Sequence, residues 1–197
     1  IMYNFYPKDI SKIVLNTFDV AFNIIGGGEE GSKKNISTKE EADHSLPYMM
    51  AVLLLDGNVL PAQYLPARIL KEDVQQLLQK VQVNQKNEYS DRFPKAMACD
   101  ITITLNDRKE FHIDKKDYKG FISRPASWEL IVEKFNHLSS AFADASLRGK
   151  IISTVKNLEN YRIKFLMELL EKVQVPAQNK NLKIHSTLKL NYHGRKK

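Results

Sequence analysis

The longest apolar run of the chain lies within residues 38–57, TKEEADHSLPYMMAVLLLDG. Thr38 followed three residues later by Glu41 matches a capping box, so the pattern predicts a helix that begins near Lys39. A segment that is apolar on every face is expected to be buried on every face, and this one is too short to cross a membrane, which takes roughly 20 residues. The sequence therefore predicts a core helix around which other elements pack.

Pro47 lies inside this predicted helix, where it removes one backbone hydrogen bond, so we expect a bend there. Asp43, His44 and Ser45 precede it, at the point where a polar helix end meets the apolar segment. Two interpretations stay open for these three residues. They form a functional site, or Asp43 and Ser45 cap the helix where it restarts while His44 donates to a nearby carbonyl, which is the commoner role of a lone histidine.

Alternating apolar residues elsewhere in the first 125 positions predict strands, with one helical pattern between them. Ile13 and Leu15 mark one face of a strand over residues 9–18, and the next segment, 19–25, either extends that strand or forms a helical turn. The other elements predicted are a turn with at most a short helix at 60–68, an amphipathic helix at 71–80, a short strand from 81, a polar loop at 85–94, a hairpin of strands at 99–105 and 110–113, and a loop at 118–125.

Three glycines, Gly26, Gly27 and Gly28, are followed by the polar sequence EEGSKK and predict a mobile loop. Glycines close to lysines also suggest a phosphate cradle. The Gly-Lys-Ser/Thr ending of a nucleotide-binding loop is absent from this segment, however, which favours a plain loop. His112 falls on the polar side of the predicted hairpin and is expected to be solvated.

Three helical patterns follow residue 125. Ser127 caps the first, whose apolar stripe includes Trp128 and Phe135, and the others cover residues 147–158 and 161–173. No other predicted element offers an obvious apolar face for these stripes to pack against, so we expect them to pack against another part of the protein. The residues after Pro176 show no sustained pattern and are predicted to be disordered.

Composition and charge change this picture only slightly. The 197 residues are 43% hydrophobic and 27% charged, which is ordinary for a globular protein, and Cys99 is the single cysteine, so no internal disulfide is possible. The net charge of +7 invites a nucleic-acid role, but residues 176–197 contain six Lys or Arg and no acidic residue, which leaves the rest at +1. We therefore predict a cytoplasmic protein without a nucleic-acid partner, a membrane span or a secretion signal.

The motif ADHSLPYMMAVLLLDG at residues 42–57 resembles the MmgE/PrpD family, which includes 2-methylcitrate dehydratase, cis-aconitate decarboxylase and iminodisuccinate epimerase. The resemblance extends over residues 7–173, because five other segments occur in the family's order: DISKIVLNTF, ARILKEDVQQLLQKVQV, FPKAMACDITITLNDRKEF, YKGFISRP and SWELIVEKF. A long motif with ordered flanks is far more specific than a three-residue signature.

The resemblance implies an α+β fold. Residues 7–125 would form a lid domain with a small, mostly antiparallel sheet and core helices, and residues 126–175 would form helices that return to an all-helical domain, before a basic tail at 176–197. In the family, most of the all-helical domain and the acid and base residues precede the lid. That half is expected to be missing from this sequence, and no catalytic residue is assigned within it.

The resemblance also implies lid groups that contact the substrate. His44 and Ser45 match the family's His-Ser pair, and Tyr48 follows them on the same helix. Phe22 stands where the decarboxylases have an active-site tyrosine; it has no hydroxyl to donate, which argues against a decarboxylase and for a dehydratase. Cations must hold the substrate's carboxylates, and the candidates by sign and position at element ends are Lys12, Arg68, Lys116 and Arg124, for each of which a solvated surface charge is the commoner role.

The activity implied is a cofactor-independent elimination of water from a small tri- or dicarboxylate, as in a 2-methylcitrate dehydratase of propionate catabolism. A base removes the proton next to a carboxylate while an acid protonates the departing hydroxyl. No cofactor and no metal are expected. The complete enzyme is expected to be a homodimer, in the cytoplasm or, in a eukaryote, the mitochondrial matrix. A decarboxylase or epimerase of the same family, and a non-catalytic binding or assembly module that uses the basic tail, are the alternatives.

Overall fold

A four-stranded mixed sheet is the frame of the residues up to 125. Its strands are β1 (Ile10–Thr17), β2 (Val81–Gln85), β3 (Cys99–Leu105) and β4 (Glu110–Lys115), in the spatial order β2-β1-β3-β4. β1 pairs with β2 in parallel and with β3 in antiparallel orientation, and β3 and β4 form the predicted hairpin. The computed structural model describes residues 5–174, so the predicted basic tail at 176–197 lies outside the described residues.

Helices complete the α+β fold, as predicted, and the chain divides after Pro125 into two compact units. The helices of the first unit are α1 (Asp19–Ala21), α2 (Lys39–Asp43), α3 (Leu46–Asp56), α4 (Pro66–Ile69), α5 (Glu72–Gln79) and α6 (Asn87–Ser90), with 3₁₀ turns at Pro7–Asp9 and Pro61–Tyr64 and a π-helical turn at Phe22–Gly26. Those of the second are α7 (Trp128–Ser139), α8 (Ala145–Lys156) and α9 (Ile163–Leu170), with a 3₁₀ turn at Leu158–Asn160.

The sheet buries one face beneath α3 and α5. Ile13 and Leu15 of β1 lie on that face, as their alternation predicts, and Ile13 is flanked in the register by Val81 of β2 and Ile103 of β3. β-branched residues suit such a pleated, buried surface. The amphipathic pattern of α5 is also confirmed, because its stripe enters the same core through Val74, Leu77 and Leu78.

The stretch that begins at Thr38 forms two helices rather than one bent helix. Thr38 and Glu41 make the predicted capping box, in which Thr38 Oγ1 accepts from the Glu41 N–H at 3.2 Å and Glu41 Oε2 accepts from the Thr38 N–H at 2.9 Å. α2 ends at Asp43, and Ser45 caps α3, which carries Pro47 in its first turn. The predicted bend is therefore wrong: the first turn of a helix needs no N–H from proline, so a new helix starts there.

α3 is buried over most of its surface but not all of it. Tyr48, Ala51 and Val52 are fully buried, whereas Leu53 is 43% exposed. Burial on every face, which the apolar pattern predicts, is therefore wrong at Leu53. The sheet and α5 cover two sides of α3, and the first unit leaves the side that carries Leu53 uncovered.

A short helix, α6, occupies part of the segment predicted to be a polar loop. Its four residues are too few for a helical hydrophobic period to appear in the sequence. Tyr89 of this helix is buried all the same. The prediction of a loop is therefore wrong between Asn87 and Ser90.

The second unit leaves apolar stripes uncovered. Ser127 caps α7 as predicted, with its Oγ accepting from the Leu130 N–H at 3.2 Å. An apolar groove between α7 and α8 contains Phe135 and Ile151, and α9 keeps large apolar side chains exposed at Ile163, Phe165 and Met167. Between residues 5 and 174, no helix combines the length and the hydrophobicity that a membrane span requires.

The capping box gives a testable pH dependence. Backbone hydrogen bonds from Ser37 and Thr38 lower the pKa of Glu41 from about 4.5 to about 2. Because the folded-state pKa lies below the unfolded one, this contribution to stability is present above pH 4.5 and is lost as the pH falls towards 2. We expect Glu41→Gln to flatten the unfolding free energy over that pH range. Glu40→Gln, which removes the same charge beside the box, should keep the wild-type slope; equal slopes for the two variants would contradict this.

Candidate functional site

Ser45 joins two segments at the junction of α2 and α3. Its side chain is fully buried, and its Oγ donates to the Lys33 carbonyl at 2.6 Å and accepts from the Tyr48 N–H at 3.0 Å. A hydroxyl has one proton to donate, and Ser45 donates it to the Lys33 carbonyl. Ser45 therefore caps α3, as one of the two interpretations predicts, and also fixes the preceding segment to the core.

His44 is exposed beside this buried serine. Its Nδ1 lies 3.0 Å from the Glu40 carbonyl oxygen, and because a carbonyl can only accept, Nδ1 carries the proton. In the neutral ring Nε2 is then the nitrogen with a lone pair. Asp43 does not cap α3, because its carboxylate pairs with Lys39 at 2.6 Å. The junction thus presents the His44 ring at the surface, with its Nδ1 bonded to the backbone of α2.

Phe22 begins the π-helical turn that leads into the glycine-rich segment, which we define as residues 26–34. Gly27 has a φ of +106°, which ends the turn in the left-handed region that favours glycine. A Cβ on Gly28 would lie 2.9 Å from Asn23 Cα and 2.9 Å from Phe22 Cε1, so only glycine fits against the aromatic ring. The Lys34 ammonium donates to the Gln79 carbonyl of α5 at 2.8 Å. The segment predicted to be a mobile loop is therefore fastened at its far end.

An ion pair inside the glycine-rich segment lies next to this junction. Lys33 Nζ is 2.8 Å from Glu30 Oε2, and the lysine side chain is 14% exposed while that of Glu30 is 56% exposed. The hydrogen bond from Lys33, the charge of Lys33 and, to a smaller degree, the charge of His44 lower the pKa of Glu30. The sequence analysis missed both members of this pair, although the run EEGSKK directly before the capping box was a signal for it.

Tyr48, a predicted lid residue, lies inside the core. Its ring is fully buried beside Tyr64, at 5.9 Å between centroids, and its hydroxyl donates to the Gln63 carbonyl. Burial raises the pKa of Tyr48 to about 12. The structure thus gives this hydroxyl a backbone acceptor within the first unit.

The cationic candidates either have carboxylate partners of their own or are exposed. Arg124 Nη1 pairs with Asp117 Oδ1 at 3.1 Å, and a hydrogen bond from Ser123 together with this guanidinium lowers the pKa of Asp117. Arg68 forms two bonds to Asp56, at 2.7 and 2.9 Å, and one to Asp73 at 2.7 Å, so two carboxylates already neutralise it. The two other candidates are exposed: Lys12 and Lys116. The structure therefore gathers Phe22, Ser45 and His44 around the glycine-rich segment, while the contacts of Arg124 lie within its own loop.

A second polar cluster, which the sequence analysis missed, lies at one end of the sheet. Asp100 of β3 and Asp114 of β4 are direct cross-strand partners, an arrangement that is unfavourable for two like charges. The Tyr89 hydroxyl lies 2.7 Å from Asp100 Oδ2 and 2.9 Å from Asp114 Oδ2. The hairpin register gave a signal for the aspartate pair, but nothing in the sequence indicated that Tyr89 would join it.

Asp100 is buried and is held as a carboxylate by several donors. Burial alone would raise the pKa of Asp100, but hydrogen bonds from Tyr89, Asn16 and Lys86 bring it below its usual value. Asn16 Nδ2 donates to Asp100 Oδ1 at 2.7 Å, and the Lys86 ammonium lies 3.4 Å from Oδ2. Burial and the two neighbouring carboxylates raise the pKa of Tyr89. These contacts join α6 to β3 and β4, and the bond from Asn16 joins β1 to the same aspartate.

Within residues 5–174, no group of three or more His, Cys, Asp or Glu side chains has an arrangement that suits a metal ion. Three groups at the α2–α3 junction could act on a ligand: the imidazole of His44, the ammonium of Lys33 and the carboxylate of Glu30. Such groups bind anions and transfer protons.

Known proteins resemble the chain over most of its length. A family model described as "MmgE/PrpD C-terminal domain" matches residues 2–160. Cis-aconitate decarboxylase of Homo sapiens is 29% identical over 123 residues, which cover 62% of this chain and 25% of that protein. Cis-aconitate decarboxylase of Mus musculus is 26% identical over 156 residues, which cover 79% of this chain and 30% of that protein. The matched part of the chain spans between a quarter and a third of these curated relatives.

The Tyr89 cluster gives a prediction about stability. Tyr89→Phe removes the hydroxyl that lies between the two aspartates and leaves buried Asp100 with one donor fewer, so we expect the free energy of unfolding to fall by about 1–3 kcal/mol. Tyr118→Phe removes the same atom from an exposed tyrosine and should change the stability by less than about 0.5 kcal/mol. Urea unfolding of both variants measures the difference, and equal stabilities would rule out the bridging role.

Proposed function

The chain belongs to the MmgE/PrpD family, and from that premise we propose that it forms the lid-side part of a lyase that acts on a small polycarboxylate, as a cis-aconitate decarboxylase does. The observation that carries this proposal is that both relatives reported above are cis-aconitate decarboxylases, while the family model matches residues 2–160, which include α2 and α3. The relatives are much longer, so the activity is proposed for a protein that includes more than these residues. A decarboxylase was an alternative in the sequence analysis; these relatives now favour it.

Decarboxylation of such a substrate breaks the carbon–carbon bond to one carboxylate, releases carbon dioxide and leaves an electron pair that a proton donor must neutralise. The remaining carboxylates need cationic or hydrogen-bond partners while this happens. We propose that His44 is a lid group for one of these carboxylates, since it is exposed and next to Ser45, whose bonds fix its position. Ser45 then acts through positioning, and the acid and base that move protons belong to the rest of the protein.

A dehydratase that removes water from 2-methylcitrate is the second candidate. Phe22 favours it, because the resemblance places a tyrosine at this position in decarboxylases and phenylalanine has no hydroxyl. The ring of Phe22 packs against Gly28, where a side chain would collide with it, so the aromatic ring is retained while the donor is absent. Dehydration transfers a proton and a hydroxyl rather than carbon dioxide, and the two activities are therefore separated by product analysis.

The helices α7, α8 and α9 suit a role in holding the larger protein together. Their exposed apolar side chains, among them Ile131, Phe165 and Met167, are the residues that need a covering surface. We propose that they pack on the helical half that the family resemblance implies. The complete protein is proposed to be a homodimer, which its mass in solution would test.

The first prediction from this proposal concerns the chain by itself. We expect the 197-residue chain to turn over neither cis-aconitate nor 2-methylcitrate, because the resemblance puts the proton-transfer groups in the N-terminal half. Adding the N-terminal half of a related decarboxylase in trans should restore the release of carbon dioxide from cis-aconitate. Clear turnover by the chain alone would overturn the placement of the site, and water elimination from 2-methylcitrate in the mixture would favour the dehydratase.

The second prediction concerns His44 in the reconstituted protein. His44→Ala should lower kcat/KM about tenfold or more, equivalent to about 1.4 kcal/mol of transition-state stabilisation. Thermal stability should change little, because His44 is exposed and its Nδ1 makes one hydrogen bond, to Glu40. His137→Ala, at an exposed histidine of α7, is the matched control and should keep wild-type kinetics. A destabilised His44→Ala protein whose folded fraction turns over normally would end the site hypothesis.

A further inference from the structure

Glu30 holds its carboxylate against a lysine that is unusually well covered. The Lys33 side chain is 14% exposed, and its ammonium meets Glu30 Oε2 at 2.8 Å, whereas Glu30 itself is 56% exposed. The cation is therefore fixed by its surroundings and the anion faces the solvent. A carboxylate from solution that binds this ammonium therefore competes with the side chain of Glu30.

The two partners differ in how the backbone holds them. The carbonyl of Lys33 accepts from buried Ser45 at 2.6 Å, and the next residue, Lys34, bonds to α5. Glu30 lies instead on a turn between Gly28 and Gly31, and Gly31 has a φ of +79°. The turn is closed by the bond from the Gly31 N–H to the Gly28 carbonyl at 3.0 Å. The Glu30 side chain can therefore leave the ammonium by rotating into solvent, while the bonds of Lys33 and Lys34 keep the cation in place.

His44 is the second group of the site, because it directly precedes Ser45, whose Oγ donates to the Lys33 carbonyl. We infer that Lys33 and His44 form the carboxylate-binding site of this unit, and that Glu30 occupies it as an internal competitor which a small di- or tricarboxylate displaces. The inference rests on the proposed function for the class of ligand. It assigns a role to Lys33 and Glu30, which no family motif supplied.

Displacement exchanges one carboxylate for another, so the charge of Lys33 stays paired in both states. A side chain three residues away competes at a high effective concentration, and the ligand's apparent affinity falls accordingly. Removing the charge of Glu30 should therefore strengthen ligand binding, although most removals of a side-chain contact weaken it. The carboxylate of this pair faces the solvent, so the pair is weak and the expected affinity gain is up to about fivefold.

The test is a titration of the ¹⁵N-labelled chain with tricarballylate, a tricarboxylate with neither a double bond nor a hydroxyl, followed by NMR at low salt. Shifts are read at residues 28–34 and 44, so binding elsewhere, including at residues 176–197, is separated. Glu30→Gln should bind about three- to fivefold more tightly than the wild type. Lys33→Met, which keeps the apolar stem, should weaken binding at least about tenfold in the Glu30→Gln background.

Glu29→Gln is the matched control, because it removes the same charge one residue away. It should change the affinity by less than about twofold. Equal gains for Glu29→Gln and Glu30→Gln would show that only net charge matters and would overturn the inference. So would an unchanged affinity in Glu30→Gln, an absence of shifts at residues 28–34 in every variant, or retained binding in Lys33→Met. The spectra of the variants also report whether each one is folded.

The result of the NMR titration does not depend on the result of the lyase assay. Tighter binding by Glu30→Gln with no turnover in the reconstituted protein would support the carboxylate site and reject the proposed activity. Turnover in the reconstituted protein, with no effect of Glu30 or Lys33 on binding, would support the proposed activity and reject the carboxylate site.

Discussion

The buried hydroxyl of Ser45 is the interaction on which the candidate site depends. One oxygen both starts α3, by accepting from the Tyr48 N–H, and anchors the glycine-rich segment, by donating to the Lys33 carbonyl. An unpaired buried polar group is destabilising by about 1–3 kcal/mol, so the two segments are held together by their shared need for this partner. His44 on one side and Lys33 on the other are brought close as a result.

Much of the fold follows from local patterns in the sequence. The capping box at Thr38, the hairpin of β3 and β4 and the cap at Ser127 are all encoded within a few residues, and each is confirmed. The break before Pro47 was encoded as well, since serine two residues before proline is typical of a helix start. The exposure of Leu53 was not encoded in the local pattern. An apolar side chain indicates that it needs a packing partner, but it does not indicate whether this unit supplies one.

The candidate site was predictable only in part, for a physical reason. His44 and Ser45 adjoin in sequence, so a local motif could single them out. Lys33 reaches them through a bond that depends on how the glycine-rich segment folds back, and no periodicity reports such a contact. The cluster of Tyr89, Asp100 and Asp114 shows the same division: the aspartates are paired by the hairpin register, but the tyrosine comes from a helix too short to predict.

The parallel pairing of β1 with β2 has an evolutionary consequence. Phe22, the glycine-rich segment, His44 and Ser45 all lie in the single crossover between these strands, whose ends are clamped by the register of Ile13–Thr17 on Val81–Gln85. Loop-closure entropy rises only slowly with length, so residues of the crossover that lie outside α3 and α5, as those of the glycine-rich segment do, can be inserted or deleted with little penalty to the sheet. The length of that segment is therefore much less constrained than the lengths of α3 and α5, whose side chains form the core over the sheet.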